Sequence, residues 1–251
     1  MLWVARTLAL KGEVEDAHKA ARKAADFFGA LGDGLGQAAA LEATLQCLLL
    51  QNDVEATLEL GERALDQARK AGARSCQAGA LGCLAAARYR AGEVDTAQEL
   101  AREAAAAYEE LDDPMGLAAV LLLRGQISLA AGDEAEALRL GREARGLFLE
   151  LGDTRRAVAA LQLTNSLLLQ RRRGEEALAA AQSMVDACRA AGDGAPEAQA
   201  LKELAEVHLE ACQFRRALEL LGQALEAAER AADPRARASA LEGSARAHLA
   251  L

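Results

Sequence analysis

The apolar positions of this chain line up in columns 40 residues apart. The clearest column is leucine, at Leu41, Leu81, Leu121, Leu161, Leu201 and Leu241, with Met1 falling in the same register. A second holds Ala17, Thr57, Ala97, Ala137, Ala177 and Ala217, and a third Ala24, Ala64, Ala104, Ala144, Met184 and Ala224. Three independent columns that keep one register without an insertion define an internal repeat. The breaks between apolar stretches repeat too. One breaker column reads Gly12, Asn52, Gly92 and Gly132, with Arg172 and Cys212 in its later slots. The other reads Gly32-Asp33, Gly72, Asp112-Asp113, Gly152-Asp153, Gly192-Asp193 and Asp233. Gly or Asn suits the left-handed residue that ends a helix, and the following Asp suits the cap of the next. Pro114 and Pro234, directly after Asp113 and Asp233, fit the first helical turn.

This punctuation predicts two helices per repeat, a helix A near 34–51 and a helix B near 54–71, each roughly 27 Å long. Short connections make each pair antiparallel. The whole of 1–251 reads as one array: a partial unit at 1–33, complete units at 34–73, 74–113, 114–153, 154–193 and 194–233, and a partial unit at 234–251.

Composition adjusts the picture in three ways. Residues of hydrophobic type make up 52% of the chain but aromatics only 3%, so small side chains, above all Ala, carry the packing. The formal net charge of -9 disfavours a nucleic-acid partner, which needs a basic footprint. No apolar run reaches the roughly 20 residues of a membrane span, and the N-terminal stretch follows the repeat register rather than a targeting pattern. The five cysteines, odd in number and without a CxxC, suit a reducing interior. The expected location is intracellular, soluble or held in a complex, with the compartment open.

The columns resemble those of the tetratricopeptide repeat (TPR) superfamily in a 40-residue form. The Leu41 column matches the large residue early in the family's helix A. Ala85, Gly125, Ala205 and Ala245 match its small residue four positions on, while Leu45 and Asn165 depart from it. The Ala17 and Ala24 columns match the two alanines of helix B. The aromatic between them is missing: that slot holds Ala21, Gly61, Ala101, Gly141, Ala181 and Leu221, and bulk returns one turn later at Phe28, Tyr108 and Phe148. The resemblance implies an all-α fold, a right-handed superhelical solenoid of antiparallel helix pairs whose A helices line a concave face. Gly61 and Gly141, in a slot held mostly by Ala, imply close helix approach in return for the helix propensity they forgo.

Candidate chemistry is sparse. His208 and His248 share one column and Cys212 lies one turn beyond His208, an arrangement that could gather a nitrogen–sulfur metal site. Leu8, Leu48 and Leu168 hold the same column, which makes a packing position the simpler reading, and a fourth ligand is not evident. The run Arg171-Arg172-Arg173 replaces a loop glycine and reads as a solvated turn, with anion binding as the alternative. Phosphate loops, nucleophile elbows, zinc motifs and EF-hand loops are absent. No catalytic residue and no cofactor is expected.

By analogy with the family, the partner-reading surface is the inward columns of helix A. Those columns vary from unit to unit: Glu42, Leu122, Gln162 and Lys202, and one turn on Gln46, Gln126, Ser166 and Glu206. The family's clamp for C-terminal carboxylates is not reproduced there, since the columns offer Gln, Glu, Leu and Lys202. The expected function is a non-enzymatic protein–protein interaction scaffold that holds a protein or peptide segment in the helix-A groove. The alternative is a structural subunit, or the solenoid portion, of a larger multiprotein assembly. A metal-binding protein built on His208, Cys212 and His248 is a minor third.

Overall fold

A computed structural model describes residues 13–250 together with Val4 and Leu8. The register positions Met1 and Gly12, and part of the first partial unit, lie outside the described residues. Twelve α-helices account for nearly all of those described: α1 (Val14–Leu31), α2 (Gly34–Leu50), α3 (Val54–Lys70), α4 (Arg74–Arg90), α5 (Val94–Glu110), α6 (Pro114–Ala130), α7 (Glu134–Glu150), α8 (Thr154–Gln170), α9 (Gly174–Ala191), α10 (Gly194–Glu210), α11 (Phe214–Arg230) and α12 (Pro234–Leu249). Even-numbered helices are the A helices and odd-numbered ones the B helices. The expected spans at 34–51 and 54–71 each end one residue early, because the last residue of each serves as the cap.

The turns explain the regularity. A left-handed residue recurs at Gly32, Asn52, Gly72, Gly92, Asp112, Gly132, Gly152, Arg172, Gly192, Cys212 and Ala232, twenty residues apart. At the end of α2, Asn52 N–H donates to Leu49 O at 3.2 Å and Asp53 N–H to Leu48 O at 3.0 Å, closing the helix as a Schellman turn. Asp53 then caps α3, its carboxylate accepting Ala56 N–H at 3.1 Å. Asp33, Asp113, Asp133, Asp153 and Asp233 cap their helices in the same way. Asp193 corrects the pattern. It makes no cap bond to α10, and its Oδ2 accepts the buried Thr154 hydroxyl at 3.1 Å. The residue three positions on, whose N–H meets the cap carboxylate in the other helices, is Pro196 here and has no N–H to donate, which leaves the Asp193 carboxylate to serve the buried hydroxyl.

The chain divides into two compact units, one ending at Gly132 and the other beginning at Asp133. Within each unit every helix packs on the next in sequence, and neighbouring A helices approach one another directly: α2 with α4, α4 with α6, α8 with α10, α10 with α12. Neighbouring B helices stand farther apart and meet through long side chains. Arg69 reaches Glu103 at 3.7 Å, Arg142 reaches Glu176 at 2.6 Å, and Arg189 donates to Gln223 at 2.8 Å.

Small residues make this packing possible. All six members of the Ala17 column and all of the Ala24 column are buried. Thr57, the polar member, donates its hydroxyl to Asp53 O at 2.6 Å. A Cβ at Gly61 would lie 2.5 Å from Leu84 Cδ2, and one at Gly141 2.7 Å from Thr164 Cγ2, so these glycines sit where helix B meets the following helix A. The displaced bulk follows a size rule. A Cβ at Gly36 would collide with Phe28, and one at Gly116 with Tyr108, eight residues earlier in each case. Phe148 instead faces Arg156, whose guanidinium lies 6.0 Å from the ring centroid.

The leucine column is buried at Leu81, Leu121, Leu161 and Leu201, but Leu41 is half-buried and Leu241 is 50% exposed. One core position departs from chemistry rather than size. Asn165, in the slot of Leu45, Ala85, Gly125 and Ala205, is 1% exposed, and both its side-chain polar atoms lack a hydrogen-bond partner.

Candidate binding surface of the A helices

Helix packing covers most of each A helix and leaves a strip open. In α6 that strip runs through exposed Ala119, half-buried Leu122 and exposed Gln126; in α8, through exposed Ala159, half-buried Gln162 and exposed Ser166. The sequence-predicted residues therefore stand on the accessible side of their helices. Their partners divide them into two sets.

In the first unit, exposed Gln46 donates to Glu42 Oε1 at 3.2 Å. Glu42 reaches from α2 over α4, where a Cβ at Gly79 would run into its carboxylate. Burial, then the Glu42 charge, pushes the Cys83 thiol up to about 12, and both also raise the Tyr108 hydroxyl. Glu42 is thus held against its neighbours. Leu122 is half-buried beside half-buried Leu123, and Gln126 extends into solvent one turn on. Those three form an apolar step with an amide at its edge.

In the second unit three of the four expected residues are already engaged by other groups of the A helices. Gln162 donates to Glu203 Oε1 at 3.1 Å, joining α8 to α10, and Gln199 donates to the same oxygen at 3.5 Å. Glu206 accepts Arg246 at 2.9 Å, joining α10 to α12. The Ser166 hydroxyl turns back to Leu163 O at 3.0 Å. Lys202 is half-buried beside them. Burial, reinforced by the Glu206 charge, lifts the Glu203 carboxyl above the ordinary glutamate range despite the two Gln donors and Lys202. Glu203 was not among the predicted residues. Its signal was present in the column Ala43, Cys83, Leu123, Leu163, Glu203, Gly243, where a carboxylate stands among small and apolar residues.

The remaining sequence candidates resolve locally. His208 Nδ1 pairs with Gln213 Oε1 at 2.6 Å, Cys212 occupies the left-handed turn position at φ 57°, and His248 is exposed near the end of α12. The structure does not gather them: among the described residues no group of three or more His, Cys, Asp and Glu side chains is placed to hold a metal ion. Arg171 bonds Glu134 at 2.9 Å, Arg173 bonds Glu176 at 2.6 Å, and Arg172 takes the left-handed turn position. The arginine run is a loop pinned at both ends. Among the described residues no helix is long and apolar enough to cross a membrane.

Repeated antiparallel helix pairs with a 40-residue register, small-residue columns and turns of two or three residues define the TPR-like class of helical repeat folds. Solved structures carry the same fold. A Rap protein in complex with Competence and Sporulation Factor superposes with a TM-score of 0.71, covering 98% of this chain and 73% of that one at 15% identity. BtubC (BKLC) from P. vanneervenii gives 0.70 over 86% and 91% of the two chains at 16% identity. A Podosopora anserina putative kinesin light chain with TPR-like repeats gives 0.61 over 76% and 94% at 17% identity. At such identities the likeness is one of fold. No family model and no curated protein matches the sequence.

Proposed function

We propose that this chain is a non-enzymatic interaction scaffold that holds an extended or helical segment of a partner protein along its A-helix faces. The observation that carries the reading is the open strip on α6, where Leu122 and Leu123 offer an apolar step and Gln126 a solvent-facing amide. An apolar anchor beside an amide that serves main-chain groups is the chemistry of peptide recognition. The close approach of A helices, against B helices joined by long side chains, supports an inward A face within each unit. A Rap protein of the same fold is seen in complex with Competence and Sporulation Factor, which supports the capacity of such a fold to hold a partner. Burial, then the Asp193 and Glu197 charges, pushes Cys188 up to about 12, so like Cys83 this buried thiol stays protonated near neutrality.

The test is partner capture by the parent chain and by a Leu122→Asp/Gln126→Ala double variant of equal thermal stability. Loss of the captured partners in the variant supports the reading, and an unchanged partner set contradicts it.

One observation favours a second reading, a structural subunit of a larger assembly. Leu241 and Leu249 on α12 are 50% and 89% exposed, and their column mates Leu201 and Leu209 are buried and half-buried. Self-association or partner dependence that vanishes in Leu241→Lys/Leu249→Lys would favour this alternative.

A further inference from the structure

Arg145 breaks a core column. The equivalent positions on the other B helices are Ala25, Leu65, Ala105, Val185 and Leu225, four of them buried and the fifth half-buried. Arg145 is half-buried there and makes no hydrogen bond or ion pair among the described residues. A guanidinium partly drawn out of water without a protein acceptor carries a cost, because the hydration it gives up is not replaced.

It lines a cavity of about 340 Å³, walled by Arg142 of α7, Thr164 and Leu168 of α8, and Glu176 and Ser183 of α9. The charges around that cavity are already assigned. Glu176 accepts Arg142 at 2.6 Å and Arg173 at 2.6 Å, and, against a desolvation that would raise it, these two arginines hold its carboxyl below the ordinary range. The Thr164 hydroxyl donates to backbone oxygens of Ala160 and Leu161. No carboxylate remains for Arg145: burial lowers its pKa first, and Arg142 lowers it further, with no acidic group opposing them. The group stays charged at neutral pH because an arginine begins so far above it. An excess of positive charge thus faces a small open cavity, in a chain whose formal net charge is -9.

We propose that the cavity between α7 and α9 is an oxyanion site, in which Arg145 donates its guanidinium N–H groups to a carboxylate or phosphate and Ser183 lies within the same wall. The site is independent of the A-helix faces. Its occupant completes the only charge on that wall left without a counter-ion among the described residues. The fork of Arg suits two oxygens of one group, which a lysine cannot match.

Arg145→Leu separates binding from folding, because Leu65 and Leu225 already fill the same column and the variant keeps the core continuous. The experiment titrates parent, Arg145→Leu and Arg145→Lys with inorganic phosphate and, in a second arm, with glutarate, at constant ionic strength. Binding is read from heats of titration and from melting temperature. The proposal expects a saturable response in the parent, no saturable response in Arg145→Leu, and about tenfold weaker binding in Arg145→Lys. A response confined to phosphate assigns the site to phosphoryl groups, and one confined to glutarate assigns it to carboxylates. No saturable response in the parent from either anion overturns the proposal, as does equal binding by Arg145→Leu. Capture of partners through the α6 strip is scored separately, so failure here leaves that reading untouched and the reverse also holds.

Discussion

Asn165 is the residue that most plainly opposes its surroundings. Truncating a large core side chain ordinarily costs about 2–5 kcal/mol. Here the removed amide is buried without partners, a penalty of about 1–3 kcal/mol that truncation relieves. Ala85 and Ala205 show that other units accept Ala in that slot. Asn165→Ala is therefore expected to match or exceed the parent in urea unfolding; a loss beyond about 2 kcal/mol would show that the amide is satisfied after all. Gly141→Leu should go the other way, by about 1–3 kcal/mol, since the added side chain meets Thr164 at once. Unchanged thermal unfolding would refute that close approach. Glu203 adds a pH dependence of defined sign. Its folded carboxyl is raised, so the native state holds the proton more tightly than the unfolded chain does. Its stabilising contribution is present at low pH and is lost as pH climbs from the ordinary glutamate value, about 4.3, through the raised one. Glu203→Gln should flatten this decline when stability is measured across that window, and a slope equal to the parent's would exclude Glu203 as its source.

At the scale of the element, the helices and their turns were legible because the two signals that make them are local. Small-residue columns report where helices touch, and a left-handed residue followed by an acidic cap reports where each ends. What the sequence hid were cases where a distant group competes. Asp193 follows the same turn as Asp153, but Pro196 stands where Arg156 donates, and Thr154, 39 residues away, takes the carboxylate instead. Gln162 looks like a free amide, yet Glu203 in the next A helix claims it. The claim on Gln162 has no signature at the residue itself, whereas Pro196 marks the lost cap of α10 locally. The left-handed column carries its own prediction. Ala232 holds φ 50° where Gly152 and Gly192 hold the same turn without a Cβ. Ala232→Gly is expected to raise stability by about 0.5–1 kcal/mol and Gly152→Ala to lower it by a similar amount. Melting temperatures that move together would contradict the strain at this position.

At the scale of the whole molecule, the two compact units carry different chemistry on the same architecture. The first offers an apolar step at Leu122 and Leu123 with Gln126 beside it; the second ties its A helices together through Gln162–Glu203 and Glu206–Arg246. The candidate surface was legible as a set of columns, because accessibility follows helical register. The division of labour within it was not, because hydrogen bonds between residues 40 and 41 apart depend on how helices stack. The central claim is that partners are held on the open strip of the A helices. The most direct measurement is site-specific photo-crosslinking from position 126, on that strip, compared with position 102, exposed on the B helix α5. The account predicts partner crosslinks from 126 and none from 102. Equal crosslinking from both positions, or crosslinking from 102 alone, would contradict it.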